Sequence, residues 1–484
     1  MTTRMYQLHD EYQYFLLHHG GKNTVTGSCH ELRIDQYGIL IDCGLFQGKD
    51  AASDPITALN IDFDIQHIEA LLITHTHIDH IGRLPWLLAA GFDKPIYCTK
   101  ATAALIPLML DDGLKLQLGL NKKQRAVVLE RIERLIVPVE YGEWGKIEPR
   151  SEDVSLKSRG KVSHSASEAH SLLFRFQPAG HILGSAYIEI KLPNGEIIVF
   201  SGDLGPSNTP LLPDPIPPKQ ADYLVIETTY GDKQHDNVST RSQRLEQIVQ
   251  KSLQDGGVIL IPAFSVGRTQ EILFDIERLI EHSIKTKTTS DDFWQQLPII
   301  LDSPLALKVT KEYERFKQLW NDECTEFDEN IDRHPLSFEQ LITVDNHKEH
   351  TKLANRLAST NEPAIVVAAS GMCHGGRIMN YLQALLPHQQ TDVILTGFQA
   401  YGTLGRELQE GDNYVYISNQ KIEVNAQIHS MSGYSAHADQ KDLLRFIEGI
   451  EKLPKKVFLI HGEPEVKDEF KALLKARFTS DVIV

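Results

Sequence analysis

The sequence predicts an α/β protein of two domains, and three observations support this fold class. Residues 5–45 alternate polar and apolar positions between turn signals, which is typical of antiparallel hairpins. After the proline-rich segment 206–220, strand patterns alternate with helical patterns, which favours right-handed crossovers within a parallel sheet. Histidines and aspartates directly follow several apolar strands, so these strand ends are candidate functional positions.

The composition is that of an ordinary globular protein. The chain has 484 residues and 41% hydrophobic content, which is enough for two or three domains with their own cores. No apolar run approaches the roughly 18 residues of a membrane helix, and residues 1–15 lack a signal-peptide pattern, so we expect a cytoplasmic protein without a membrane partner. The five cysteines are scattered and form no CxxC motif, which argues against disulfides and cysteine metal sites.

The net charge also limits how the protein could bind a polyanion. Lysine and arginine number 49 against 65 acidic residues, giving a formal charge of −16. This balance argues against a broad basic surface that grips nucleic acid by counterion release. A polyanionic substrate would therefore be held locally, by metal ions and a few placed cations.

The first functional element is a histidine-rich segment that follows the predicted strand Leu71–Ile73. It contains His75, His77, Asp79 and His80 within six positions. Side chains two apart on a strand point to one face, so His75 and His77 converge, while the next two residues begin a helical turn. Imidazole and carboxylate ligands suit zinc, with one pair for each of two adjacent ions. A solvated polar run at a helix N-terminus is the alternative, which this density of ligand types disfavours.

Three further residues lie at predicted strand ends. Asp42 and Asp203 each follow an apolar strand, and His181 lies in a glycine-bounded turn between two strands. Taken alone, Asp42 could cap a turn and His181 could be an ordinary turn residue. Together with the histidine-rich segment, they predict one site built from four strand ends.

The remaining segments of this half are predicted to be structural. Helical patterns cover residues 101–118 and 122–135, and the polar segment 151–169 is predicted to be a surface loop or hairpin insertion. Six prolines in residues 206–220 exclude a helix or a central strand, so we predict a linker with a domain boundary near 215.

Four motifs in the first half resemble those of the metallo-β-lactamase superfamily. They are LIDCG, THTHIDHIGR, PAGHILGSA and FSGDLG, and they occur in the order found in that superfamily. The resemblance implies an αββα sandwich with the site at the open edge of its sheets. It also implies a set of metal ligands, in which Asp203 bridges two zinc ions: one is bound by His75, His77 and His181, the other by Asp79 and His80.

Asp42 has a different expected role. The resemblance places it outside the ligand set, where it would orient a ligand or the attacking water.

Three motifs in the second half resemble the β-CASP subfamily of metallo-β-lactamase nucleases. They are ETTYG with Glu227, SAHAD with His437 and HGE with His461. The resemblance implies that His461 joins the second zinc ion and that Glu227 and His437 form a carboxylate–histidine pair beside the metals. It further implies a metallo-β-lactamase domain of residues 1–215 and 413–484, interrupted by an inserted β-CASP α/β domain of residues 216–412.

The resemblance is nearest to the RNA-processing branch, which includes the endonuclease subunit of the mRNA 3′-end cleavage complex and its prokaryotic homologues. Members of the DNA-repair branch typically carry valine at the position of His461. The implied function is a zinc-dependent ribonuclease with two zinc ions per chain, acting on single-stranded RNA and leaving 5′-phosphate and 3′-hydroxyl products. The expected catalytic residues are Asp42, Asp79, Asp203, Glu227 and His437.

Several alternatives stay open at this stage. Cleavage could be internal or start at a 5′ end, and a homodimer is one assembly state that the sequence allows. The substrate could be DNA, or the protein could hydrolyse small esters or thioesters, although that chemistry needs neither the insertion nor Glu227 and His437. An inactive scaffold subunit is disfavoured because all the expected ligands are present.

Four residues of the second half are candidate contacts to the sugar-phosphate chain. Arg268 and Arg377 open predicted helices after glycine turns, where helix N-terminal amides and a guanidinium can share phosphate oxygens. Ser370 and Ser435 lie in similar turns. Capping or surface pairing explains each of these residues equally well when it is taken alone.

Overall fold

A computed structural model describes residues 5–47, 60–148, 171–286, 294, 296–329 and 334–484. The chain forms two compact units, the first of residues 1–207, 214–234 and 437–484 and the second of residues 208–213 and 235–436. The predicted surface loop at 151–169 lies outside the described residues.

These limits differ from the predicted insertion of residues 216–412. Residues 214–234 belong to the first unit because the strand Tyr223–Glu227 pairs in parallel with Ile197–Phe200 on one side and Lys456–Ile460 on the other. Residues 413–436 belong to the second unit because Gln427–Ser430 pairs in parallel with Asp392–Leu395. The strand that ends at Glu227 is therefore part of the first unit.

Within its described residues, the first unit contains two seven-stranded sheets. The first sheet follows chain order, β1-β2-β3-β4-β5-β6-β7, and the second has the order β22-β21-β12-β11-β10-β9-β8. The strands of the first sheet are β1 Met5–Gln7, β2 Tyr14–Gly20, β3 Cys29–Ile34, β4 Tyr37–Ile41, β5 Ile68–Leu72, β6 Ile96–Thr99 and β7 Ile136–Val139. Those of the second are β8 Gly145–Ile147, β9 Leu172–Pro178, β10 Ala186–Lys191, β11 Ile197–Phe200, β12 Tyr223–Glu227, β21 Lys456–Ile460 and β22 Asp481–Ile483.

The two sheets pack face to face, and helices cover both outer faces. One buried cluster joins alternate residues of both sheets, among them Leu32 of β3 and Ile188 of β10. A second cluster packs helices onto the first sheet, and a third packs helices onto the second sheet. The helices of this unit are α1 Ile78–Ile81, α2 Leu84–Ala89, α3 Lys100–Leu118, α4 Lys122–Glu133, α12 Gln440–Glu448 and α13 Pro464–Arg477. The predicted αββα sandwich is confirmed.

Local sequence signals explain where the two long helices begin. Thr99 caps α3, because its hydroxyl accepts the backbone N–H of Thr102. Asn121 and Gln124 form a reciprocal capping box at the start of α4. These caps place both helices within two residues of the predicted bounds, 101–118 and 122–135.

The part of the second unit that the structure describes is built on a parallel sheet of six strands, as the alternation of strand and helix patterns predicted. The sheet has the order β15-β14-β16-β13-β17-β20, and every neighbouring pair is parallel. Its strands are β13 Val258–Pro262, β14 Ile299–Asp302, β15 Leu341–Thr343, β16 Ala364–Ala368, β17 Asp392–Leu395 and β20 Gln427–Ser430. Two further strands, β18 Tyr414–Ile417 and β19 Gln420–Glu423, form a separate hairpin. Its helices are α5 Val238–Asp255, α6 Arg268–Thr286, α7 Pro304–Arg315, α8 Asp322–Glu329, α9 His347–Thr360, α10 Ile378–Leu385 and α11 Leu404–Glu410.

None of the helices in the described part of the chain combines the length and the apolar character needed to span a bilayer.

Candidate metal centre

The strand ends of the first unit bring ten of the predicted site residues together. Asp42 follows β4, the histidine-rich segment follows β5, His181 lies in the turn between β9 and β10, and Asp203 follows β11. The remaining residues come from later in the chain: Glu227 ends β12, His437 precedes α12 and His461 follows β21. All ten belong to the first unit.

Three histidines and one aspartate form the first ligand group, His75, His77, His181 and Asp203. Nδ1 of His77 lies 3.1 Å from Nε2 of His75 and 2.9 Å from Nε2 of His181. Oδ2 of Asp203 lies 3.5 Å from Nε2 of His75 and 3.6 Å from Nε2 of His181. Four tetrahedral ligands at zinc bond length are roughly 3.3 Å apart, so these spacings fit one zinc ion.

The second ligand group consists of Asp79, His80 and His461, together with the other oxygen of Asp203. Oδ1 of Asp203 lies 3.3 Å from Nε2 of His80 and 3.7 Å from Nε2 of His461. Oδ2 of Asp79 lies 3.5 Å from the same nitrogen of His461. Because Asp203 turns Oδ2 to the first group and Oδ1 to the second, its carboxylate can bridge two ions.

Orphaned atoms show that the second group fits a cation. Nε2 of His80, Nε2 of His461 and Oδ1 of Asp203 are buried and make no hydrogen bond of acceptable geometry. Leaving one such buried group unsatisfied costs about 1–3 kcal/mol. Three of them converging on one point are explained by a metal ion that binds all three.

The charges of the site also fit metal ions. Burial lowers the pKa of His75 well below its usual value and that of His77 to about 4, so both rings stay in the neutral form that binds metal. Burial alone would lower the pKa of His80 as well, but the carboxylates of Asp203 and Asp42 outweigh it and raise this pKa well above the usual value. These carboxylates therefore attract positive charge to the second group.

Asp42 orients His80 instead of joining a ligand group. Its Oδ2 lies 2.7 Å from Nδ1 of His80, and Thr74 donates its backbone N–H and its hydroxyl to the same carboxylate at 2.8 and 2.7 Å. A carboxylate on the far nitrogen of a metal-binding histidine fixes its tautomer and ring orientation. Sequence reasoning missed Thr74, although a hydroxyl directly before the first histidine was the available signal.

His461 is held in a strained backbone conformation by its neighbours. Its φ of +47° lies in the left-handed region, which is unfavourable for a residue with a Cβ. The hydroxyl of Thr229 lies 3.1 Å from Nδ1 of His461 and donates to its carbonyl at 3.2 Å. Thr229 is a second positioning residue that sequence reasoning missed, although it lies within the ETTYG motif.

Glu227 and His437 form the predicted carboxylate–histidine pair. Oε2 of the fully buried Glu227 lies 3.0 Å from Nδ1 of His437, and its Oε1 accepts the backbone N–H of Leu204 at 2.6 Å. Burial lowers the pKa of the His437 imidazole, but the charge of Glu227 and its hydrogen bond outweigh burial and raise this pKa to about 9. His437 also lies 3.9 Å from Oδ2 of Asp203, so the pair adjoins the carboxylate that the two ligand groups share.

Two motif glycines allow the strand ends to approach each other. A Cβ on Gly44 would lie 1.4 Å from the carbonyl oxygen of Asp79, and one on Gly205 would lie 2.0 Å from that of Gly180. Neither contact is sterically possible, so any side chain at these positions would displace a ligand-bearing segment.

The four predicted phosphate contacts belong to the second unit, whereas the ligand groups belong to the first. Arg377 donates to the carboxylate of Asp302 and, at 2.7 Å, to the carbonyl oxygen of Val344, so much of its donor capacity is used within the protein. Arg268 begins α6 and is 5% exposed, and Ser435 is 2% exposed.

Ser370 accepts the backbone N–H of His374 at 3.1 Å. The structure thus does not bring these four residues into the ligand groups, and a phosphate-binding role for them stays a prediction.

An αββα sandwich with two histidine–aspartate groups at its strand ends defines a metal-dependent hydrolase of the metallo-β-lactamase type. Family models match most of the chain: the metallo-beta-lactamase superfamily over residues 23–251, the Beta-Casp domain over 269–408 and the Zn-dependent metallo-hydrolase RNA specificity domain over 421–484.

Curated relatives extend this match. A ribonuclease of Thermus thermophilus is 33% identical over 455 residues, which cover 92% of each chain. An RNase J-like protein of Methanocaldococcus jannaschii is 31% identical, covering 92% of this chain and 91% of that protein. The transcription termination factor FttA of Methanosarcina mazei is 28% identical over 92% of this chain, but the match covers 66% of that longer protein. The chain therefore belongs to the β-CASP family of metallo-β-lactamase RNA nucleases.

Proposed function

We propose that this protein is a zinc-dependent ribonuclease that hydrolyses phosphodiester bonds in single-stranded RNA to 5′-phosphate and 3′-hydroxyl products. The observation that carries the proposal is the Glu227–His437 pair, with Nδ1 of His437 3.0 Å from the Glu227 carboxylate and 3.9 Å from Asp203. A poor leaving group needs a proton donor, and a histidine that a buried carboxylate keeps protonated can supply the proton.

Two zinc ions, one in each ligand group, would polarise the phosphodiester and lower the pKa of a water molecule for attack. The residues of the chain would hold them through three neutral imidazoles in the first group and two imidazoles with Asp79 in the second. The negative charge of Asp203 would be shared between both. The fit of the ligand spacings to tetrahedral zinc supports this assignment.

His437 would act as the general acid. Glu227 holds Nδ1 of the ring, which leaves Nε2 as the nitrogen that can deliver a proton. When water oxygen forms its bond to phosphorus, the bond from phosphorus to the 3′-oxygen breaks, and His437 would protonate that departing oxygen. One fragment then ends in a 3′-hydroxyl, and the other begins with a 5′-phosphate.

RNA is the proposed substrate because two relatives that are matched over at least 91% of both chains are named as a ribonuclease and an RNase J-like protein. The buried ligand atoms favour a flexible single strand, since a rigid duplex cannot extend one phosphate into a recess. DNA cleavage and hydrolysis of small esters or thioesters are the competing functions that the same test separates.

The test uses metal-free protein with and without added zinc, and single-stranded RNA and DNA of matched sequence that carry a 5′ label. We expect zinc-dependent cleavage of the RNA and little cleavage of the DNA. Labelled fragments of many sizes would indicate internal cleavage, and a labelled mononucleotide would indicate 5′-exonuclease action. Intact RNA in the presence of zinc, or DNA cleaved at the same rate, would contradict the proposal, and a thioester substrate run in parallel tests the small-molecule alternative.

A further inference from the structure

The loop Gly21–Ser28 contacts two of the residues that form the second ligand group. The backbone N–H of His461 donates to the carbonyl oxygen of Gly21 at 2.7 Å, and the backbone N–H of Ser28 donates to the carbonyl oxygen of Asp79 at 2.9 Å. The two ends of the loop therefore hold two metal-binding segments that lie far apart in sequence.

The first ligand group is supported by other segments. The hydroxyl of Ser185 accepts the backbone N–H of His181 at 3.1 Å. Thr74, which precedes His75, accepts the backbone N–H of Ala186 at 2.9 Å. Each ligand group thus has backbone supports of its own.

Glycines close the loop on itself. Gly21 has a φ of +70°, and a Cβ there would lie 2.7 Å from the Cα of Ser28. A Cβ on Gly20 would lie 2.0 Å from the carbonyl oxygen of Gly27. Because the ends of the loop are in contact, a shift at one end moves the other.

Lys467 anchors the loop from the helix that follows His461. Its side chain is fully buried, and its Nζ donates to the carbonyl oxygen of Lys22 at 2.6 Å and to Oδ1 of Asn23 at 2.7 Å. Lys467 lies on α13 (Pro464–Arg477), which starts three residues after His461. Burying an amine is costly unless its hydrogen bonds are replaced, so these two acceptors hold the loop firmly against the helix.

We propose that the loop Gly21–Ser28, anchored by Lys467, positions His461 and Asp79 and so sets the affinity of the second metal position separately from the first. Lys467 is a positioning residue in this proposal, which rests on the proposed two-zinc function. If the anchor is lost, the left-handed backbone of His461 loses one of the contacts that hold it. The second ion should then dissociate while the first group keeps its geometry.

The experiment measures both zinc affinities in a Lys467→Met variant by titrating metal-free protein against a chromogenic chelator. Methionine preserves the length of the side chain and removes both hydrogen bonds. Loss of a residue that supports a metal ligand typically lowers affinity roughly 10- to 100-fold, and we expect this loss at one position only. A His461→Ala variant identifies which of the two affinities belongs to the second group.

Lys456→Met is the matched control. Lys456 lies on β21, five residues before His461, and its Nζ donates to two oxygen acceptors, the backbone carbonyls of Gln7 and Leu8, both at 3.0 Å. Like Lys467 it is a lysine with two oxygen acceptors, but these acceptors lie outside the loop Gly21–Ser28. We expect both zinc affinities of this variant to equal those of the wild type.

Asn23→Leu provides a second test in case Lys467→Met does not fold. Asn23 is exposed and supplies one of the two acceptors of Lys467. We therefore expect zinc affinity to fall at the second position only, by less than in Lys467→Met. Thermal unfolding followed by circular dichroism shows whether each variant is folded. Equal loss at both positions, or no loss in folded Lys467→Met or Asn23→Leu protein, would overturn the positioning role. Wild-type protein that binds a single zinc ion would overturn the two-zinc function as well.

Discussion

Replacing Glu227 by glutamine should shift the pH range in which the enzyme works. Burial favours the neutral ring of His437, and the charge of Glu227 reverses this preference and raises the pKa of His437 to about 9. Glutamine removes the charge, so the pKa should fall to about its ordinary value of 6.5. At pH 7.5 the protonated fraction then drops from about 97% to about 9%, which predicts about a tenfold slower reaction for a general acid.

The assay is single-turnover cleavage of 5′-labelled RNA between pH 5.5 and 9 with zinc present. The ratio of wild-type to variant rate at each pH cancels titrations that both proteins share. We expect a ratio near one at pH 5.5, where both rings are protonated, and a rising ratio towards neutral pH. Glu189→Gln is the control, because Glu189 is another buried carboxylate of the same sheet and is paired with Arg175. A Glu227→Gln ratio that stays constant with pH would refute the role of Glu227.

Four further predictions concern other residues. His437→Ala should keep its zinc and cleave RNA roughly 10²- to 10⁴-fold more slowly. RNA with sulfur at the bridging 3′ position should partly restore the rate, because a thiolate leaves without a proton; an equal defect on both RNAs would exclude proton donation. Elemental analysis should find two zinc ions in the wild type and fewer in His77→Ala, and unchanged content would reject His77 as a ligand. Asp42→Asn should weaken zinc binding roughly 10- to 100-fold, measured by chelator competition, and wild-type affinity would show that Asp42 does not orient His80. Burial and the nearby Lys22 lower the pKa of Lys467 in the folded protein to about 8, below its usual 10.5. Between pH 8 and 10.5 the unfolded chain therefore binds more protons than the folded one, so the free energy of unfolding should rise with pH. Denaturant unfolding should show this rise in the wild type relative to Lys467→Met, by at most about 1.4 kcal/mol per pH unit.

Much of the metal centre could be predicted because its residues are concentrated at strand ends. His75, His77, Asp79 and His80 follow one strand within six positions, so local geometry suffices to place all four at the same strand end. Their supports are harder to predict. Thr74 has no special pattern around it in the sequence, because its role depends on the carboxylate of Asp42, 32 positions earlier.

The limits of the two units were harder to predict for a related reason. The prolines of residues 206–220 suggested that the chain had left its first domain, yet β12 returns to a sheet of the first unit. The sequence of a strand does not show which strand it pairs with. One partner of β12 is formed by residues 456–460, which lie more than 200 positions further along the chain. Arg377 shows the same limit, since Asp302, which its guanidinium contacts, lies 75 positions away and reduces its capacity to bind phosphate.

The two ligand groups become complete at very different stages of protein synthesis. The last residue of the first group is Asp203, whereas the second group needs His461, which a ribosome adds only after the whole inserted unit. The strands that follow the insertion, β21 and β22, lie at one edge of their sheet, so β8–β12 can pair before them. Because domains fold as they emerge, N-terminal parts first, a nascent chain can assemble the first ligand group before the inserted unit is complete. The second group is completed only after the inserted unit has been made, so metal binding by a nascent chain would proceed in two separate stages.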